Sequence, residues 1–173
     1  LALIAGHEQA AGRDGAAAEA YREAGLGSQR VYANREALEH LESALALGHP
    51  DVVGLQVAIG EIRMARGDYA GAITSLEAAA GVGDEAALPE VELRLGQVHA
   101  RRGDVAAAAS HLDAALAGAD ERLRPTVLVE RGAVALRAGD LERAASLASE
   151  ALIAVADTTG GTTAGAARRL LGL

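Results

Sequence analysis

The chain has 173 residues, a net charge of −8 at pH 7 and no Cys. That length suits one domain or one repeat array, and the missing Cys excludes a disulfide scaffold, thiolate metal sites and a Cys nucleophile. The acid excess argues against non-specific nucleic-acid or anionic-membrane binding, which need basic surface, and no apolar run approaches the roughly 20 residues of a membrane span.

In chain order, residues 1–33 read as an N-terminal helix pair. Gly12, Ala17, Tyr21 and Ala24 match the second half of a unit that recurs downstream. Gly25, Ala37, Leu41 and Ala44 match the next copy, with Tyr32-Ala33 at its turn. One helix, about Ala16 to Val31, is therefore expected to serve both. Residues 34–49 form the second helix of the first full unit, and repeats follow at 50–84, 85–120 and 121–157. Thr158 to Thr163 reads as a loop. Residues 161–173 open a further repeat, because Leu171-Gly172 matches Leu95-Gly96. Its helix, Ala164 to Leu173, is expected to expose Leu170-Leu171 and to favour self-association.

The three full repeats carry fixed marks. Gly67-Asp68, Gly103-Asp104 and Gly139-Asp140 recur at a spacing of 36. Gly60, Gly96 and Gly132 precede them, and Ala72, Ala108 and Ala144 follow. Each Gly-Asp pair fits a tight turn in which Gly ends one helix and Asp caps the next. Pro50, Pro89 and Pro125 sit near the start of first helices, where a missing N–H costs least. Val52, Leu55, Ile59 and Ile62, then Leu88, Val91, Leu95 and Val98, follow helical spacing. So do Leu141, Ala145, Ala148 and Leu152 in a second helix. Only 2% of the residues are aromatic and about a quarter are Ala, so the mid-helix glycines predict close approach of thin helices.

Leu95-Gly96, Gly103-Asp104, Ala108, Leu112, Ala115 and Leu116 resemble the tetratricopeptide repeat. The resemblance implies an all-α fold, a superhelical solenoid of antiparallel helix pairs with a concave groove. The sequence departs from that pattern where aromatics are expected. Gln56 and Glu92 precede the Leu-Gly place, Arg63, His99 and Ala135 follow it, and only Tyr21 keeps the ring, which implies thinner packing. The stretches His7 to Gly12, Tyr21 to Gly25 and Val31 to Leu47 are similar to a segment of large bacterial signalling proteins. These join an ATPase switch to a helical arm, as in actinobacterial LuxR-type regulators. An Arg-only basic set with abundant Ala fits a GC-rich bacterial genome, and the opening Leu1 suggests a piece of a longer protein.

The tetratricopeptide resemblance places Arg22, Gln29, Arg30, Glu61, Met64, Glu90, Leu93, Gln97, Arg101, Thr126, Val129, Leu136 and Arg137 on the concave face. Arg30, Arg101 and Arg137 occupy equivalent places. They either hold carboxylates of a peptide or are satisfied by Glu61, Glu90 and water. Leu26 and Ala133 stand where a C-terminal carboxylate clamp would need polar groups. Glu36, Glu39 and Glu42 read as a solvated face and His99 as a semi-buried spacer. His111 and Asp113, two apart, point to different helix faces and form no catalytic pair. No nucleotide, metal or catalytic motif is present. The expected role is a cytoplasmic protein-interaction arm without cofactor or catalysis, its partner a peptide or neighbouring domain rather than nucleic acid or membrane. The alternatives are a structural or oligomerisation spacer and a free-standing adaptor.

Overall fold

The computed structural model describes residues 1–156 and 161–172, and among these it holds α-helices and no strand. The chain divides into two compact units, Leu1–Val82 and Gly83–Leu173.

The first unit contains α1 (Ala2–Ala10), α2 (Asp14–Arg30), α3 (Asn34–Ala46), α4 (Val52–Ala65) and α5 (Tyr69–Val82). Helix α2 packs on both α1 and α3, so the expected sharing of one helix by two units is present. The core between α2, α3 and α4 holds Ala37, Leu38, Leu41, Ala44, Leu55, Ala58, Ile59 and Ile62. Half-buried Tyr21 leans on it, its ring 5.9 Å from that of His40.

The second unit contains α6 (Leu88–Arg102), α7 (Val105–Gly118), α8 (Arg124–Arg137), α9 (Leu141–Ala156) and α10 (Gly161–Leu171). Pro89 and Pro125 occupy the first turns of α6 and α8, as predicted. Leu93, Leu112, Val127 and Val134 centre one cluster, and Leu128, Leu147, Ala151 and Ala167 another.

Each Gly-Asp turn works as the sequence predicts. Gly67, Gly103 and Gly139 adopt φ of +80°, +90° and +80°. Asp68, Asp104 and Asp140 then accept from the N–H groups of Gly71, Ala107 and Arg143 at 2.9–3.1 Å. Three further caps are legible only in the structure. Asp51, Asp84 and Asp120 accept from Gly54, Ala87 and Leu123 and start the turn or helix leading into α4, α6 and α8.

The mid-helix glycines are close-approach points. A Cβ on Gly60 would stand 2.9 Å from Leu76 Cγ, one on Gly96 2.6 Å from Leu112 Cγ, and one on Gly25 2.6 Å from Leu41 Cγ. Gly132 differs because Ala148 replaces that leucine. There the nearest atom is Leu170 Cδ1 of α10, at 3.1 Å. Leu170 is thus half-buried against α8, and Ala167 is fully buried, which corrects the expectation of an open apolar face on this helix.

Two more expectations change. In α9 the buried stripe is Ala144, Leu147, Ala148, Ala151 and Val155, while Leu141 and Ala145 are exposed. The loop expected at Thr158 to Thr163 lies partly outside the described residues, and helix α10 already begins at Gly161. No helix among the described residues is long and apolar enough to cross a membrane.

Candidate interaction surface

The residues expected in the groove lie on first helices: α2 and α4 in the first unit, α6 and α8 in the second. In each unit a glutamine of one first helix donates to a glutamate of the next. Gln29 Nε2 lies 3.4 Å from Glu61 Oε2, and Gln97 Nε2 lies 2.9 Å from Glu130 Oε1. Arg94 joins the second rung, with an N–H to Gln97 Oε1 at 3.2 Å and an ion pair to Glu90 at 2.9 Å. Arg94 and Glu130 went unassigned in the sequence. The i, i+4 spacing of Glu90 and Arg94, and a Gln-to-Glu spacing close to that of Gln29 and Glu61, are the signals that could have found them.

The arginines divide by place. Arg22 lies 3.0 Å from Glu19 and 3.8 Å from Asp51, so it ties α2 to the start of α4. Arg137 Nη1 donates to the carbonyl of Ala100 at 3.1 Å, which ties α8 to the last turn of α6. Such a guanidinium also suits the negative end of a helix dipole. Arg30 and Arg101 are exposed at the ends of α2 and α6. Met64, Thr126 and Val129 are half-buried and Leu136 is 44% exposed. Leu93 is buried at 1% exposure and belongs to the core, correcting its expected place in the groove.

Two of the positions expected to carry aromatics, Arg63 and Glu92, hold polar stitches instead, while Ala135 is buried in the core. Arg63 reaches the Gly71 carbonyl at 3.2 Å, Ser75 Oγ at 2.9 Å and Glu42 at 2.8 Å, sewing α3, α4 and α5 together. Glu42 is therefore not only a solvated charge. A cleft of about 280 Å³ opens beside this stitch, between Gln56, Ile59, Arg63 and Ser75. Arg131, which breaks the apolar stripe of α8, pairs with Asp113 at 2.7 Å. His111 instead turns to Glu92, at 2.7 Å, so His111 and Asp113 face opposite neighbours. His99 is buried and stacks on His111, with ring centroids 5.1 Å apart.

Burial, and then the charge of His111, push the His99 imidazole below its ordinary pKa, so the folded chain favours its neutral form. As pH falls below the unfolded value of about 6.5, the unfolded chain takes up this proton first. This contribution to stability is present above that pH and is lost as pH falls through the folded value. The melting temperature should drop between pH 7.5 and 5.5, and should drop less for His99→Gln; equal slopes in the two proteins would refute the assignment.

A tetratricopeptide-repeat family model matches residues 34–89 and 93–158, more than half of the chain. The chain belongs to the tetratricopeptide-repeat family. Its helix pairs, Gly-Asp turns and small-residue contacts are the repeat of an all-α protein–protein interaction scaffold. Solved structures share the fold. TTC0263, a thermophilic tetratricopeptide-repeat protein of Thermus thermophilus, matches with a TM-score of 0.72 at 20% identity, over 99% of this chain and 97% of its own. YrrB, described as a tetratricopeptide-repeat protein with an unusual peptide-binding site, gives 0.71 at 19%, over 96% and 84%. MamA gives 0.68 at 19%, over 90% and 83%. No curated protein sequence matches the chain.

Among the described residues no group of three or more His, Asp or Glu side chains is placed to hold a metal ion.

Proposed function

We propose that this tetratricopeptide-repeat chain is a cytoplasmic, non-catalytic interaction arm of a larger bacterial signalling or transcriptional regulator, and that its first-helix faces take an acidic peptide or a neighbouring domain. The observation that carries this reading is the end of α6 and α8. Arg101 is exposed there, Arg137 is bonded beside it to Ala100, and Leu136 stays 44% exposed next to Arg137. A pair of guanidiniums with an apolar neighbour in a chain of net charge −8 suits a carboxylate flanked by an aliphatic side chain. Arg22, Arg30, Glu61, Met64, Glu90 and Gln97 would complete the two faces. The peptide-binding site named for YrrB is consistent with such a use of the fold.

The Gln29–Glu61 and Gln97–Glu130 rungs favour a second reading, a spacer or free-standing adaptor whose polar groups serve mainly to hold helices in register. Paired charge reversal separates the two. Arg101→Glu with Arg137→Glu should weaken capture of acid-rich peptides on an array while leaving the circular dichroism spectrum unchanged. Capture as strong in the double variant as in the native chain, or absent from the native chain, would favour the spacer.

A further inference from the structure

The turn between α2 and α3 departs from every other turn within a helix pair. Gly12, Gly67, Gly103 and Gly139 occupy the equivalent place with φ between +71° and +90°. Here the residue is Tyr32, with φ +60°. An L side chain is disfavoured in that conformation because its Cβ crowds the backbone, and the backbone bonds that Tyr32 makes would be made equally by glycine. Its N–H donates to Gln29 at 3.0 Å, and that of Ala33 to Ser28 at 3.0 Å. The ring gains nothing in exchange within the chain, for Tyr32 is 87% exposed, and Val31 beside it is 72% exposed. A strained backbone position that presents an aromatic ring to solvent points to a contact outside the chain.

The surroundings define what that contact is. Arg30 precedes the turn and Arg35 follows it. Arg35 and Arg66 line a cleft of about 330 Å³ floored by Leu38. Of the acids on its walls, Glu42 is paired with Arg63 and Asp68 caps α5. Glu36 lies 3.5 Å from Arg35, and Glu39 is the other carboxylate of this edge. Arg30 and Arg66 are exposed, with no ion pair among the described residues.

We propose that the Val31–Tyr32 turn and the adjoining Arg35–Arg66 cleft form an interaction surface for an acidic peptide segment bearing an apolar side chain. The apolar side chain packs on Tyr32 and Val31, and the carboxylates meet Arg30, Arg35 and Arg66. Tyrosine and arginine together are the residue types that dominate binding energy at protein interfaces. This surface lies in the first unit and does not depend on Arg101 or Arg137.

The test uses the full chain and fluorescein-labelled peptides in which Glu alternates with Leu and Phe, with Lys-for-Glu versions as controls. Fluorescence anisotropy should show binding of the acidic set only, weakening as salt rises. Tyr32→Gly should weaken it by about tenfold or more. The same change relieves the backbone, so its melting temperature should be unchanged or higher, opposite in sign to the loss expected of a structural tyrosine. Tyr32→Phe should retain binding, and Arg35→Glu should weaken it. Failure of the acidic peptides to bind, equal binding of the basic set, or native affinity in Tyr32→Gly would overturn the proposal. Binding lost in Arg101→Glu with Arg137→Glu but kept in Tyr32→Gly would assign the peptide to the second unit instead.

Discussion

Gly96→Leu is expected to destabilise the chain by about 3 kcal/mol, at the upper end of the overpacking range. The reason is local and geometric. The first carbon of any side chain at this position would lie 2.6 Å from Leu112 Cγ and 2.8 Å from its Cδ2, with the Ala108 carbonyl at 3.4 Å behind. Leu112 is fully buried in the α6–α7 core and has no solvent to swing into. Either the helices separate or Leu112 leaves its rotamer. Gly96→Ala should therefore also destabilise, although alanine is the better helix former by about 1 kcal/mol. The effect should shrink in a Leu112→Ala background, where the obstructing atoms are gone, and the double-mutant cycle measures that coupling. Gly132→Ala should cost less than Gly96→Ala, since its nearest neighbour is the far end of the Leu170 side chain at 3.1 Å. Urea unfolding of the single variants and of the Leu112→Ala double variant checks the series. A Gly96→Leu chain as stable as the native one would refute close approach as the role of these glycines.

The same contacts show what the sequence could convey about the fold. Gly-to-Leu pairs such as Gly60 and Leu76 recur in phase with the Gly-Asp turns, because the period of the repeat sets both. Helix existence, turn chemistry and the close-approach sites were therefore legible. The face of α9 was not. Alanine is so frequent that several stripes look equally apolar, and exposed Leu141 outweighed buried Ala144 in the pattern. Phase from the turn was the better guide, since Ala144 repeats Ala72 and Ala108.

The candidate surface was less legible because its chemistry depends on stagger between helices. Gln97 and Glu130 are 33 residues apart in the sequence, and only the packing of α6 on α8 brings their side chains within 2.9 Å. Leu93 sits one position from Arg94, yet one is in the core and the other in a polar network, a difference set by the rotation of α6. Tyr32 carried a signal of its own. It was visible as a departure from Gly-Asp, but its left-handed backbone and its exposure had to be seen.

His49→Ala is expected to cost about 2–3 kcal/mol, from the loss of a buried side chain and of two satisfied hydrogen bonds. His49 stands in the loop between α3 and α4 with only 5% of its surface exposed. Its Nδ1 accepts from the backbone N–H of Asp51 at 3.0 Å and so carries no proton. Its Nε2 then bears the hydrogen and donates to Glu19 Oε2 at 2.8 Å. Glu19 Oε1 in turn receives Arg22, and the Arg22 Nε lies 3.8 Å from Asp51 Oδ2, which closes a ring of contacts. Asp51 is also the cap of α4, so the ring fixes where that helix begins relative to α2. This explains why Arg22 serves the repeat junction. The hydrogen bond from His49 is the main cause holding the Glu19 carboxyl below its ordinary range, with Arg22 adding to it. Two readouts should therefore move together in His49→Ala. The urea midpoint should fall, and the Glu19 titration followed by carboxyl NMR should shift upward toward the free value. A fall in stability with an unmoved Glu19 would assign His49 a packing role alone. An unchanged midpoint would show that the junction is held by Arg22, Asp51 and the apolar core without it.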